Sequence, residues 1–202
     1  LIKIESSANK RHPWSGKGKK AAEEIFRQTY PAIFAHFEPF KEALKKRQDQ
    51  GEYYWELRSC TYWEEFAKPK IIYPDIAQRP EFSLDDQGYY LVNTLYFAPI
   101  DDPFLLGLLN SSLMFWYYTK ISPQIRGGFV RFFTQYVEQL PVPDGKERAE
   151  IAALVQALLA RKAAGGDVAD LEAAIDGAVC RLFGVGAGEI GMVERQRTGT
   201  RQ

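Results

Sequence analysis

The chain has 202 residues, 46% of them hydrophobic and 14% aromatic, a composition that supports a packed core and excludes a wholly disordered tail. Its 26 basic and 26 acidic residues cancel, so contact with a polyanion would need a local excess of Lys and Arg. The longest apolar stretch, residues 105–118, is broken by Asn110-Ser111-Ser112, so nothing in the chain reads as a membrane span.

Residues 1–20 carry six basic side chains against one acid, whereas residues 81–144 carry three against seven. The chain opens on Leu1 rather than Met, with no signal-peptide pattern after it, which predicts a piece cut from a longer polypeptide whose missing part lies upstream. Cys60 and Cys180 stand far apart with no second ligand at metal spacing, so neither zinc nor a disulfide is expected and a reducing cytoplasm fits.

From Ser6 to Lys20 the sequence is rich in Ser, Gly and Lys and reads as an irregular linker running over the surface. A short helix is expected over Ala21–Thr29, then another opened by Pro31, with Ile33, Phe37, Phe40 and Leu44 on one face and a break near Glu38 imposed by Pro39. Tyr53–Arg58 is aromatic and reads as a strand, and Lys70–Tyr73 as a clearer one ended by Pro74. Glu81–Leu84 and Tyr89–Phe97 flank Asp85-Asp86-Gln87-Gly88 and read as a hairpin.

Asp102 is placed to cap a helix with Pro103 in its first turn, and Phe104–Tyr118 is apolar on nearly every face, which predicts a buried helix. Gly127-Gly128 marks a turn between two strands, with Pro123 confining the first to a sheet edge. Leu140-Pro141-Val142-Pro143 then leaves the domain. Beyond it, Ile151, Leu154, Val155, Leu158 and Leu159 follow helical spacing, and after Gly165-Gly166 a second helix capped by Asp167 runs through Leu171, Ile175, Val179 and Leu182 to Gly184. Residues 189–194 add at most a turn, and no internal repeat is found.

These elements predict an α+β fold: a mixed, largely antiparallel sheet with packed helices, followed by a C-terminal helical hairpin. The expected division is a linker over residues 1–20, a main domain over 21–143, the hairpin over 144–194 and a disordered tail over 195–202.

Chemistry-bearing patterns are sparse. His12 and His36 have no Ser or Cys in a triad-like arrangement, and the acids and lysine of a metal nuclease are present only as Pro74-Asp75 and Asp144-Gly145-Lys146, about 70 positions apart. No catalytic or metal-binding residue is therefore assigned. Asn110-Ser111-Ser112 reads as a structural run whose polar groups bond neighbouring backbone. Arg126-Gly127-Gly128 and Arg131 are better candidates, because glycines let a backbone approach phosphate closely and a guanidinium grips a phosphate or a guanine edge. Arg131 shares a strand face with Phe129 and Phe133, so lying over aromatic surface is its other reading. Lys68, Lys70 and Arg79 frame the Ile71-Ile72-Tyr73 strand as further candidates, solvated charge being the alternative for each. Arg58 is a weaker one, with Glu56, Glu64 or Glu65 as possible partners. The basic opening, Lys10-Arg11 and Lys17 to Lys20, reads either as a backbone contact or as a solubilising face.

The order Trp55-Glu56-Leu57-Arg58, Pro69-Lys70-Ile71-Ile72-Tyr73, Asn93-Thr94-Leu95-Tyr96-Phe97, Gly107-Leu108-Leu109-Asn110-Ser111-Ser112, Ile125-Arg126-Gly127-Gly128-Phe129-Val130-Arg131-Phe132 and Leu140-Pro141-Val142-Pro143 resembles the TaqI-like C-terminal specificity domain. That domain is the target-recognition module of adenine-specific DNA methyltransferases and of fused (type IIG) restriction-modification enzymes. The resemblance implies sequence-specific reading of double-stranded DNA, with Arg126, Gly127, Gly128, Arg131, Lys68, Lys70, Arg79 and Arg58 as candidate contacts.

It further implies a covalently linked upstream methyltransferase domain that uses S-adenosylmethionine. The Asn-Pro-Pro-Tyr-like motif and cofactor loop of such a domain are absent from these 202 residues, so base flipping and methyl transfer are expected there, and no cofactor in this chain. A non-catalytic protein-interaction or scaffold module is the competing reading, favoured by the neutral charge. A self-contained nuclease is a third.

Overall fold

Glu56 organises the first part of the fold. Its carboxylate is fully buried, accepts from Trp14 Nε1 at 2.7 Å and from the backbone N–H of Glu52 at 2.9 Å, and so pulls residues 52–56 into a tight turn. The expected strand over Tyr53–Arg58 is therefore absent apart from an isolated bridge, Gln50 to Leu57. Its aromatic side chains fill a core instead: Trp55 stacks on Phe26 at 4.8 Å and on Tyr53 at 4.9 Å, and Trp14 meets Phe26 edge-on. The computed structural model describes residues 2–186 and Glu189. The readings made for residues 190–202, the tail among them, lie outside that span.

Helix α1 (Lys19–Thr29) turns Ala22 and Phe26 into this core, and α2 (Pro31–Phe37) starts on Pro31 as expected. Pro39 breaks the helical run into a 3-10 turn, Glu38–Phe40, before α3 (Lys41–Lys46). The opening segment is irregular but does not skim the surface. Ile4, Ser6, Ser7 and Trp14 are buried, because an indole this large is stabilised by burial once its N–H has an acceptor, while Lys10, Arg11, Lys17, Lys19 and Lys20 stay exposed.

By packing, the chain falls into two units, Leu1–Trp63 and Glu64–Gln202.

In the second unit two three-stranded antiparallel sheets replace the single sheet expected. The strands of this unit are β1 (Lys70–Pro74), β2 (Ile76–Ala77), β3 (Ser83–Asp85), β4 (Leu95–Ala98), β5 (Gln124–Ile125) and β6 (Phe129–Arg131). In the first sheet β1 is central, with β3 and β4 on its two sides. The expected hairpin between the segments holding β3 and β4 is thereby overturned. Asp85 stands opposite Lys70 in the ladder, and its carboxylate captures the N–H groups of Gln87 and Tyr89, bending the chain away before a direct pairing can form.

Asp75 is the corner between the sheets. Its N–H donates to Thr94 O at 2.9 Å and its carbonyl accepts from Phe132 N at 2.8 Å, so β1 continues into β2 at the edge of the second sheet, ordered β2-β6-β5.

Helix α4 (Pro103–Asn110) is capped by Asp102, whose carboxylate accepts from Phe104 N at 2.9 Å. The long helix expected beyond it is divided at Ser111, which leaves helical geometry with ψ at 150° and caps α5 (Ser112–Ile121) by accepting from Met114 N. Asn110 mimics a strand neighbour, donating to Phe82 O at 2.9 Å and accepting from Phe82 N at 3.1 Å. After the short α6 (Thr134–Val137), α7 (Glu147–Ala163) and α8 (Ala169–Leu182) form the C-terminal helical hairpin. The core joins Ile71, Tyr73, Phe82, Leu108, Tyr118, Phe132, Ile151, Val155 and Val179, so sheets and helices share one apolar interior. The fold is α+β, as the pattern of elements implies.

Candidate nucleic-acid interface

Strands β5 and β6 pair antiparallel with Ile125 opposite Phe129, leaving Arg126-Gly127-Gly128 as the connecting loop. Gly127 at φ +88° and Gly128 at φ +77° occupy the left-handed region, where a Cβ is strained, and the pair lets the ribbon reverse in so few residues. All three loop residues are exposed. Among the described residues Arg126 makes no ion pair, so its guanidinium is unspent.

The ribbon is held from below. Phe132 is buried and stacks on Tyr118 at 4.7 Å, while the Tyr118 hydroxyl donates to the carbonyl of Arg131 at 2.6 Å. Burial pushes the Tyr118 phenol well above its ordinary range, so it stays a donor at any physiological pH. Val130 and Ala77 face the interior, and the alternation of β6 sends Phe129 and Arg131 outward, level with Ile76 on β2. Ile76 and Phe129 are 41% and 37% exposed, enough to give this face apolar contact area beside its arginines.

The second sheet also brings Arg79 to the same end. Ala77 pairs with Val130, and one step on, Gln78 Nε2 donates to the carbonyl of Gly127 at 3.0 Å; Arg79 follows immediately and is exposed. Its guanidinium lies 3.6 Å from Glu81, an exposed and weak pairing. Arg131 has the aromatic contact considered for it, together with an ion pair. It reaches Asp75 at 3.1 Å and lies over the Phe133 ring at 5.1 Å, with more than a third of its side chain exposed.

Lys70 requires a correction. It is fully buried, pairs with Asp85 at 2.5 Å and donates to Phe66 O at 2.7 Å, so it is a structural cation sealed at the start of β1 and presents nothing to a ligand. Lys68 is exposed and pairs with Glu65 at 2.7 Å. Arg58 belongs to the first unit, is exposed, and lies 3.7 Å from Asp49 rather than any of the three glutamates considered for it.

Gln78 was missed in the sequence because its importance depends on a pairing 49 positions away. Among the described residues no group of three His, Cys, Asp or Glu side chains could hold a metal ion, and no helix is long and apolar enough to cross a membrane.

The chain is thus an α+β scaffold that presents an exposed Arg-Gly-Gly loop at the edge of its second sheet. Residues 23–142 match the model of the TaqI-like C-terminal specificity domain, more than half of the chain, and the chain belongs to that family. It is 28% identical over 184 residues to the type II methyltransferase M.BanIII of Aneurinibacillus aneurinilyticus, covering 83% of this chain and 31% of that protein. It is 29% identical over 167 residues to the type II methyltransferase M.MjaIV of Methanocaldococcus jannaschii, covering 76% and 56%. With the type II methyltransferase M.PaeR7I of Pseudomonas aeruginosa it shares 30% identity over 122 residues, 59% of this chain and 20% of that protein. The chain thus spans between about a third and about half the length of the first two.

Proposed function

We propose that this specificity domain reads duplex DNA with the loop end of its second sheet, which carries Arg126, Gly127, Gly128 and Arg79, with Arg131 at the far end of β6 on the outer face. The observation that carries the reading is the exposed Arg-Gly-Gly loop that joins β5 to β6 at the edge of the second sheet, a backbone reversal that glycines let approach a phosphate or a base edge closely. Arg126 and Arg79 supply forked donors for phosphate or a guanine edge, and Ile76 and Phe129 supply apolar surface suited to a thymine methyl group. Lys68 and Arg58, exposed but paired, serve as phosphate contacts at most.

The division of labour follows. The relatives are longer methyltransferases, which supports a linked catalytic domain that binds S-adenosylmethionine, flips the target base and transfers the methyl group. Adenine as the target, a fused type IIG nuclease and a cytoplasmic setting are carried by the family resemblance.

Equilibrium binding to a duplex across a salt series tests the reading. Log K should fall linearly with log salt concentration, with a slope of about −0.9 per phosphate neutralised. Absence of binding at low salt, with the methyltransferase domain joined to the chain, would instead favour a protein-interaction role. Adenine specificity is tested separately by digesting DNA methylated by the joined protein and looking for N6-methyladenine.

A further inference from the structure

Gln78 is exposed and follows directly on β2. Its contact partner is a carbonyl oxygen, Gly127 O, which accepts only, so the group facing it at 3.0 Å is the amide NH2. That bond uses one of two N–H groups. Among the described residues the second N–H and both lone pairs of Oε1 have no partner, on a side chain tied to the Arg-Gly-Gly loop.

We infer that Gln78 is a base-reading residue whose anchored amide addresses the major-groove edge of an adenine, accepting from N6–H with Oε1 and donating its remaining N–H to N7. An amide of Gln or Asn is the side chain that matches adenine's donor–acceptor pair, and fixing it beforehand reduces the rotamer entropy lost on binding. Arg79, next to it in the chain, and Arg126, next to the Gly127 it bonds, supply positive charge that draws the groove in. The adenine here is a base within the recognised site, not the methylation target. The inference rests on the DNA-reading role proposed for this loop.

The test begins with selection from a random-sequence duplex pool by the full chain, joined to its methyltransferase domain, followed by binding to the selected site. Gln78→Ala should weaken binding roughly ten- to hundredfold for the selected site, yet change it little for a site altered at one A·T pair. Thermal unfolding of Gln78→Ala should match the parent, since the side chain is exposed. Replacing the adenine of that pair by 7-deazaadenine, which lacks N7, should weaken the parent and leave Gln78→Ala unaffected. A Gln78 that merely braced the loop would lower discrimination at all positions together, and 7-deazaadenine would then weaken parent and variant equally at every adenine; either result overturns the inference while leaving DNA reading intact. A parent that selects no sequence removes both.

Discussion

Lys70 and Asp85 form an ion pair of 2.5 Å with both side chains buried, directly opposite each other in the β1–β3 ladder. Burial pushes the Asp85 carboxyl up, but the hydrogen bond from Lys70, those from the Gln87 and Tyr89 N–H groups and the lysine's charge outweigh it, and the carboxyl sits below the usual aspartate range. A group held below its unfolded value contributes stability that is full above that value and is lost as pH falls through the folded one. The parent should therefore lose stability below about pH 4 more steeply than Asp85→Asn. Chemical denaturation at pH 7 and pH 3 reads this out, and equal pH dependence of the two proteins would remove Asp85 as the responsible group.

Breaking that pair from one side should be costly. Lys70→Met leaves Asp85 charged and buried, with an expected loss of about 3–5 kcal/mol, whereas Lys70→Met with Asp85→Leu should recover much of it. Urea unfolding midpoints at neutral pH give the comparison.

Gly107 faces α7 so closely that an added Cβ would stand 2.7 Å from Val155 Cγ2 and 3.0 Å from Ile151 Cγ2. Gly107→Ala should cost about 1–3 kcal/mol by overpacking, despite the better helix propensity of alanine. A variant with Val155→Ala as well should regain part of the loss. Thermal denaturation measures both.

Trp14→Ala distinguishes a core segment from a surface linker. Removing a fully buried indole and taking from Glu56 Oε1 its Trp14 donor should destabilise the protein by about 3–5 kcal/mol, where a true linker would show almost no change.

The features legible in the sequence were local ones. Asp102-Pro103 starts a helix, Pro39 breaks one, and Gly127-Gly128 reverses a ribbon, because each rests on the dihedral and hydrogen-bonding limits of neighbouring residues. What escaped was non-local. The flanking of β1 by β3 and β4 was hidden by a turn-like Asp85-Asp86-Gln87-Gly88, whose first carboxylate is in fact committed to Lys70. Charge misled twice. Glu56 and Lys70 are buried against the ordinary habit of their residue types, each satisfied by partners that only the folded chain brings near. At the candidate interface Arg126, Gly127 and Gly128 were visible as a motif, whereas the approach of Arg79 through Gln78 depends on the β2–β6 register.

If the loop end of the second sheet reads DNA, the affinity of Arg79→Ala/Arg126→Ala for a selected duplex must reveal it. Both side chains are exposed, so the double variant should unfold at the parent's temperature while binding at least about tenfold more weakly. A correctly folded double variant that binds the duplex within twofold of the parent would place DNA reading elsewhere on the molecule.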